Sequence, residues 1–145
     1  AGWILRGVTI LGSLVVGRLL VAGLVWYSIR DAVNIARRRI ESWRPDVLVG
    51  FSWGGGVACW LLAAGGWDGP TILLAPTVHA MARVCCMSSP LVRTKNLGLV
   101  HVFHADDDGF CPGEQVPEFR AAGCDVQLCR DNHVLCRRST VDKIE

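Results

Sequence analysis

Hydrophobic and polar positions divide this chain into segments of different period. Over residues 28–43 the apolar side chains Ile29, Val33, Ala36, Ile40 and Trp43 recur at i, i+4, i+7, i+11 and i+14, one stripe of a helix. Ser28 is expected to cap that helix, with Asp31 in its first turn, and Pro45 to end it. Residues 47–49, 71–75, 97–103 and 125–130 carry no helical period and are bounded by Gly, Pro or Asp, so they are predicted strands. Residues 57–64 are apolar on every side, as in a buried helix, and weaker helical patterns cover 114–122 and 134–144. Strands alternating with helices predict an α/β fold: a three-layer sandwich with a mostly parallel sheet, one domain over residues 1–145.

Residues 1–27 form an apolar amino-terminal segment with a different pattern. Arg6, Arg18 and Arg30 cut it into charge-free stretches at 7–17 and 19–29, each shorter than the ~20 residues that cross a bilayer. The expectation is a buried strand or helix at 8–16 and another at 19–26, from the amino-terminal half of the sheet. A membrane anchor is the alternative. The chain begins at Ala1 rather than methionine, which reads as a processed, trimmed or fragmentary chain.

The chemistry enters where the strand at 47–49 meets the helix at 57–64. Between them stands Gly50-Phe51-Ser52-Trp53-Gly54-Gly55-Gly56, a Gly-x-Ser-x-Gly turn in the strand-to-helix context of a nucleophile elbow. Gly50 and Gly54 flank Ser52 where a side chain is expected to collide across the turn. A serine nucleophile needs a base and an orienting acid. Downstream, His104-Ala105-Asp106-Asp107-Asp108 follows one strand and Asp131-Asn132-His133 follows the next. In a parallel sheet both segments reach the carboxyl ends of the strands, where sites of α/β proteins collect. His133 is the one histidine beyond the last strand, whereas Asp106, Asp107 and Asp108 all remain candidates for the acid. His101, His104, Asp106 and Cys111 invite a metal reading, but positions 101 and 104 of a strand face opposite ways, so no metal site is expected.

Gly50-Phe51-Ser52-Trp53-Gly54-Gly55, residues 69–76, His104-Ala105-x-x-Asp108-x-x-Cys111-Pro112 and Asp131-Asn132-His133 occur in this order over residues 28–145. On these pieces the sequence resembles the α/β-hydrolase family, most closely its small esterase and acyl-hydrolase members. The resemblance implies a minimal α/β-hydrolase fold, with Ser52 as nucleophile, Asp108 as acid, His133 as general base and the Trp53 N–H as an oxyanion-hole donor. It implies hydrolysis of a carboxylic ester or thioester through an acyl-enzyme, with no cofactor. The sequence departs from the pattern in Ala105, where the family carries glycine, and in having no His-Gly loop before Ser52 to supply a second oxyanion donor. A catalytically weak or inactive hydrolase-like binding domain is therefore the competing expectation, and a membrane-tethered hydrolase of lipid esters a third.

Composition narrows the partners. Hydrophobic residues are 51% of the chain and charged ones 19%, as expected of a sheet buried on both faces. A formal charge of +2 is too small to imply a polyanionic partner, and Arg37-Arg38-Arg39 reads as a solvated helix face, so no nucleic acid is expected. Seven cysteines without a Cys-x-x-Cys pair read as free thiols of a reducing, cytoplasmic compartment.

Overall fold

In the computed structural model, which describes residues 2–90 and 99–144, four short strands run parallel in one sheet. They are β1 (Leu48–Phe51), β2 (Thr71–Leu74), β3 (Val100–Asp107) and β4 (Asp125–Asn132), in the spatial order β1-β2-β3-β4. The register aligns Gly50 with Leu73 and Leu73 with Val102, and a bulge interrupts the β3–β4 pairing at Ala105 and Asp107. Parallel neighbours need crossovers, and the helices α2 (Trp53–Ala63), α3 (Val78–Val84) and α4 (Gln115–Ala121) lie in them. A final helix, α5 (Arg138–Ile144), follows β4. The start of the predicted strand at 97–103 falls outside the described residues.

Alternation along the strands builds two cores. Leu73, Val100 and Val102 point to one face and pack under Ala58, Cys59 and Leu62 of α2 and Phe119 of α4. On the other face Phe103, Ala105 and Cys129 pack with Leu135, and Ile72, Leu74 and Ile144 join them, which places α5 there. The result is the three-layer arrangement expected from the sequence.

The amino-terminal third differs from expectation. Residues 8–16 and 19–26 are neither a strand nor separate buried pieces. They belong to one helix, α1 (Gly2–Trp43), of 42 residues and about 63 Å. Ser28 lies inside it and caps nothing. No proline interrupts the segment, and Ser28 is compatible with a helix interior as well as with a cap, so the helical path simply continues. The stripe is real from Ile29 onward: Ile29 and Val33 are buried against Val57 and Leu61 of α2 and Met81 and Cys85 of α3, with Ala36 and Ile40 beside them. Trp26 meets Trp60 edge-on at 5.2 Å between ring centroids. Trp43 leaves the stripe and lies exposed under the Arg39 guanidinium. Arg44, at φ 47°, then ends the helix before Pro45. Toward the other end the helix leaves the domain: Leu11 is 65% and Leu14 66% exposed. Arg18 is the junction, its guanidinium donating to the carbonyls of Arg83 (2.9 Å) and Val84 at the end of α3.

Candidate active site

Ser52 stands between β1 and α2 at φ 51° and ψ −115°, a conformation L-residues avoid and that costs on the order of 1–3 kcal/mol. Neighbouring backbone holds it there. Its N–H donates to the Leu74 carbonyl at the end of β2, and its carbonyl accepts from Gly56 (3.0 Å) and Thr77 (3.1 Å). The glycines divide the work differently from the sequence expectation. A Cβ on Gly50 would stand 2.8 Å from the Gly55 Cα, and one on Gly55 would stand 3.0 Å from Pro76. One on Gly56 would collide with the Met81 sulfur, whereas Gly54 has open space. The expected collision across the turn is thus found at Gly50, against Gly54 and Gly55, and not at Gly54, while Gly55 admits the segment after β2.

The three side chains expected to act together meet at the carboxyl ends of the strands. The Ser52 hydroxyl lies 2.7 Å from His133 Nε2, and His133 Nδ1 lies 2.7 Å from Asp108 Oδ2. A carboxylate only accepts, so Nδ1 carries the ring proton and Nε2 is left to accept from the serine. Asp108, with its side chain fully buried, also accepts from the N–H groups of Phe110 and Cys111 through Oδ1, each at 2.9 Å. Burial pushes its carboxyl up. The His133 bond, the two N–H groups and the His133 charge together outweigh that and hold it below the ordinary carboxylate range. Phe51 and Phe110 flank the imidazole at centroid distances of 5.7 and 5.2 Å.

Comparison with solved structures gives this arrangement its context. The chain superimposes on a protein assigned as a CIB-like hydrolase from Thermoplasma acidophilum with a TM-score of 0.56 and 15% identity, over 80% of this chain and 56% of that one. For an α/β-superfamily hydrolase from Xanthomonas campestris pv. campestris the TM-score is 0.54 and the identity 22%, over 77% and 60%. For a variant of Arabidopsis thaliana SOBER1 they are 0.50 and 14%, over 83% and 60%. The fold is that of the α/β hydrolases. No protein-family model and no curated protein matches the chain in sequence. The chain spans 56–60% of the length of these three α/β-hydrolase-fold structures.

Within this α/β-hydrolase fold, Asp131 and Asp106 hold the histidine loop. Asp131 is buried and accepts from the N–H groups of Asn132 and Arg137, each at 2.8 Å, while its own N–H donates to Asp106. Burial pushes the Asp131 carboxyl up, but the Arg137 and Asn132 N–H groups and the Arg137 charge hold it below the ordinary range. Asp106 is therefore a loop anchor rather than the partner of His133. The signal available in the sequence was its place opposite Asp131 across two adjacent strand ends. His104 is buried, with Nδ1–H donating to the Ala105 carbonyl (2.7 Å), while His101 pairs with Asp125 at the surface. His79 sits on α3 and pairs with Glu118.

Cys111 lies 3.7 Å from His133 Nδ1, so Asp108, Cys111 and His133 converge as three potential metal donors. Burial, reinforced by the Asp108 charge, pushes the Cys111 thiol up to about 12. The thiol therefore stays protonated near neutral pH and donates to the Ala75 carbonyl.

A cavity of about 420 Å³ opens over Ser52, lined by Trp53, Thr77, Ala80, Met81, Val84, Phe110 and His133. Its walls are mostly apolar. The Trp53 N–H is at the first position of α2, where helix geometry provides no carbonyl for it. Thr77 is 8% exposed, and its hydroxyl has no hydrogen-bond partner among the described residues. Nothing in the sequence pattern points to Thr77. What marks it is burial beside Ser52 with an unused donor.

Proposed function

We propose that this protein is a serine hydrolase that cleaves a carboxylic ester or thioester through an acyl-enzyme. The observation that carries the reading is the continuous hydrogen-bond chain Ser52–His133–Asp108, with both links at 2.7 Å, at the floor of an apolar cavity. His133 Nε2 takes the Ser52 proton as Oγ attacks the substrate carbonyl carbon. Asp108 keeps the imidazole in the Nδ1–H tautomer and stabilises its charged form. The Trp53 N–H donates to the oxyanion, and the Thr77 hydroxyl supplies a further hydrogen bond to the ester group. His133 then returns the proton to the departing alcohol or thiol. Water, deprotonated by the same nitrogen, attacks the acyl-enzyme and releases the acid and Ser52. Every group in the cycle belongs to the chain, and no cofactor takes part in it.

The test is covalent labelling with a fluorophosphonate probe, comparing the chain with Ser52→Ala and His133→Ala. Labelling lost in both variants supports the reading and justifies a series of p-nitrophenyl esters. Folded protein that takes no label overturns it in favour of a hydrolase-like domain that binds without cleaving. That second reading is favoured by one observation: Trp53 is the one backbone donor assigned to the oxyanion among the described residues. The free thiols fit a cytoplasmic setting.

A further inference from the structure

The outer part of α1 is apolar in every direction. Successive residues of a helix turn by about 100°, so Ile10, Leu11 and Val16 point in three directions roughly 100–140° apart. All three are exposed, as are Val8, Leu14 and Val15. A protein partner, or another layer of this fold, covers one stripe of a helix and leaves a polar face to water. The hydrocarbon of a bilayer covers every side of such a helix.

From Arg18 onward α1 is bound to the domain, through the Arg18 bonds to the carbonyls of Arg83 and Val84 and through buried Ala22, Ile29 and Val33. The free part is residues 2–17, about 24 Å at 1.5 Å per residue. Arg6, near the outer end, has a side chain long enough to reach headgroups from a tilted helix. Arg18 is satisfied by α3 carbonyls and not left bare at the boundary.

We propose that this outer part of α1 inserts into the hydrocarbon of a phospholipid bilayer and docks the protein at its surface. The same junction points to the substrate. Arg18 grips the end of α3, and α3 contributes Ala80, Met81 and Val84 to the cavity wall, so the cavity lies beside the point where the helix enters the lipid. Exposed Phe51, Trp53 and Phe110 continue the apolar surface around Ser52 and His133. The substrate class is then an ester with an apolar acyl chain drawn from the bilayer. That second statement rests on the serine-hydrolase reading, whereas the docking does not.

The experiment is flotation of the full chain with phosphatidylcholine–phosphatidylglycerol vesicles, beside Ile10→Asp, Leu11→Asp and Val16→Asp. Each variant is expected to lose at least about tenfold in vesicle binding, because a carboxylate is costly in hydrocarbon whichever way it points. Circular dichroism and fluorophosphonate labelling should stay unchanged, since all three positions are exposed. Failure of the parent chain to float overturns the proposal. Loss in only one variant overturns it too, in favour of a protein groove that covers a single stripe. Flotation without labelling refutes the hydrolase reading and leaves docking standing; labelling without flotation does the reverse. For the substrate, faster hydrolysis of a long-chain p-nitrophenyl ester in vesicles than in solution, lost in Leu11→Asp, is the expected result. Equal rates in both media would refute delivery from the bilayer.

Discussion

Replacing Asp108 by Asn changes one atom and tests the whole hydrogen-bond chain. Asp108 accepts three hydrogen bonds, two at Oδ1 from Phe110 and Cys111 and one at Oδ2 from His133. Asparagine has one oxygen, and two N–H groups already claim it. Turning the amide the other way would set its NH₂ against two backbone donors, leaving buried groups unpaired at about 1–3 kcal/mol each. The oxygen therefore stays with Phe110 and Cys111, and the NH₂ faces His133 Nδ1. That nitrogen must then accept, which moves the ring proton to Nε2, where it can no longer take the proton of Ser52. The loss expected for a wrong tautomer is ~10⁴-fold in the rate of acylation, about 5.5 kcal/mol of barrier. Stopped-time fluorophosphonate labelling, with p-nitrophenyl butyrate hydrolysis beside it, measures this directly. Circular dichroism of the variant checks that the fold persists. A folded Asn variant that acylates within tenfold of the parent would refute the role given to Asp108.

Four further outcomes follow from the same structure. Gly50→Ala places a Cβ 2.8 Å from the Gly55 Cα and should lower stability by about 1–3 kcal/mol and abolish labelling, as thermal melts and probe gels will read. Gly54→Ala meets nothing within 4 Å and lies in α2, so it should leave labelling intact and raise stability by roughly 0.5–1 kcal/mol. Asp131 has a lowered folded pKa, so its stabilising bonds are complete above the ordinary carboxylate value of ~3.9 and are lost as pH falls through the lowered one. Asp131→Asn should therefore melt earlier at neutral pH, with the gap to the parent closing in acid; a constant gap would contradict the assignment. Thr77→Val keeps the shape and removes the unpaired hydroxyl, so kcat/KM on p-nitrophenyl esters should fall about tenfold or more while the melting temperature holds or rises.

Much of the site could be read from residues because local chemistry fixes it. Gly50-x-Ser52 after an apolar strand admits few conformations, and one of them is the strained turn observed. His133 was identifiable because it alone follows β4. Asp108 was not separable from Asp106 on chemistry alone, since both are carboxylates at one strand end. What distinguishes them is which nitrogen each meets across space. The same holds for Gly54 and Gly55, where the collision partner, Pro76, arrives from another strand. The amino-terminal segment was misread for a different reason. Periodicity reveals a helix through the contrast between its faces, and the outer part of α1 has no polar face to supply that contrast. Short charge-free stretches then looked like two elements, although a single arginine does not interrupt a helix.

The hydrogen bonds around Ser52 also impose an order on assembly. The elbow is held by Leu74 and Thr77, 22 and 25 positions further along, whereas the histidine that meets the hydroxyl lies 81 positions away. During refolding the β1–α2–β2 unit can close over a short loop, but Ser52 has no imidazole beside it until β4 has joined the sheet. A chemical pulse of fluorophosphonate given at increasing times after dilution from denaturant would therefore date the arrival of the last strand. The strained serine serves, in that experiment, as a built-in clock for completion of the fold.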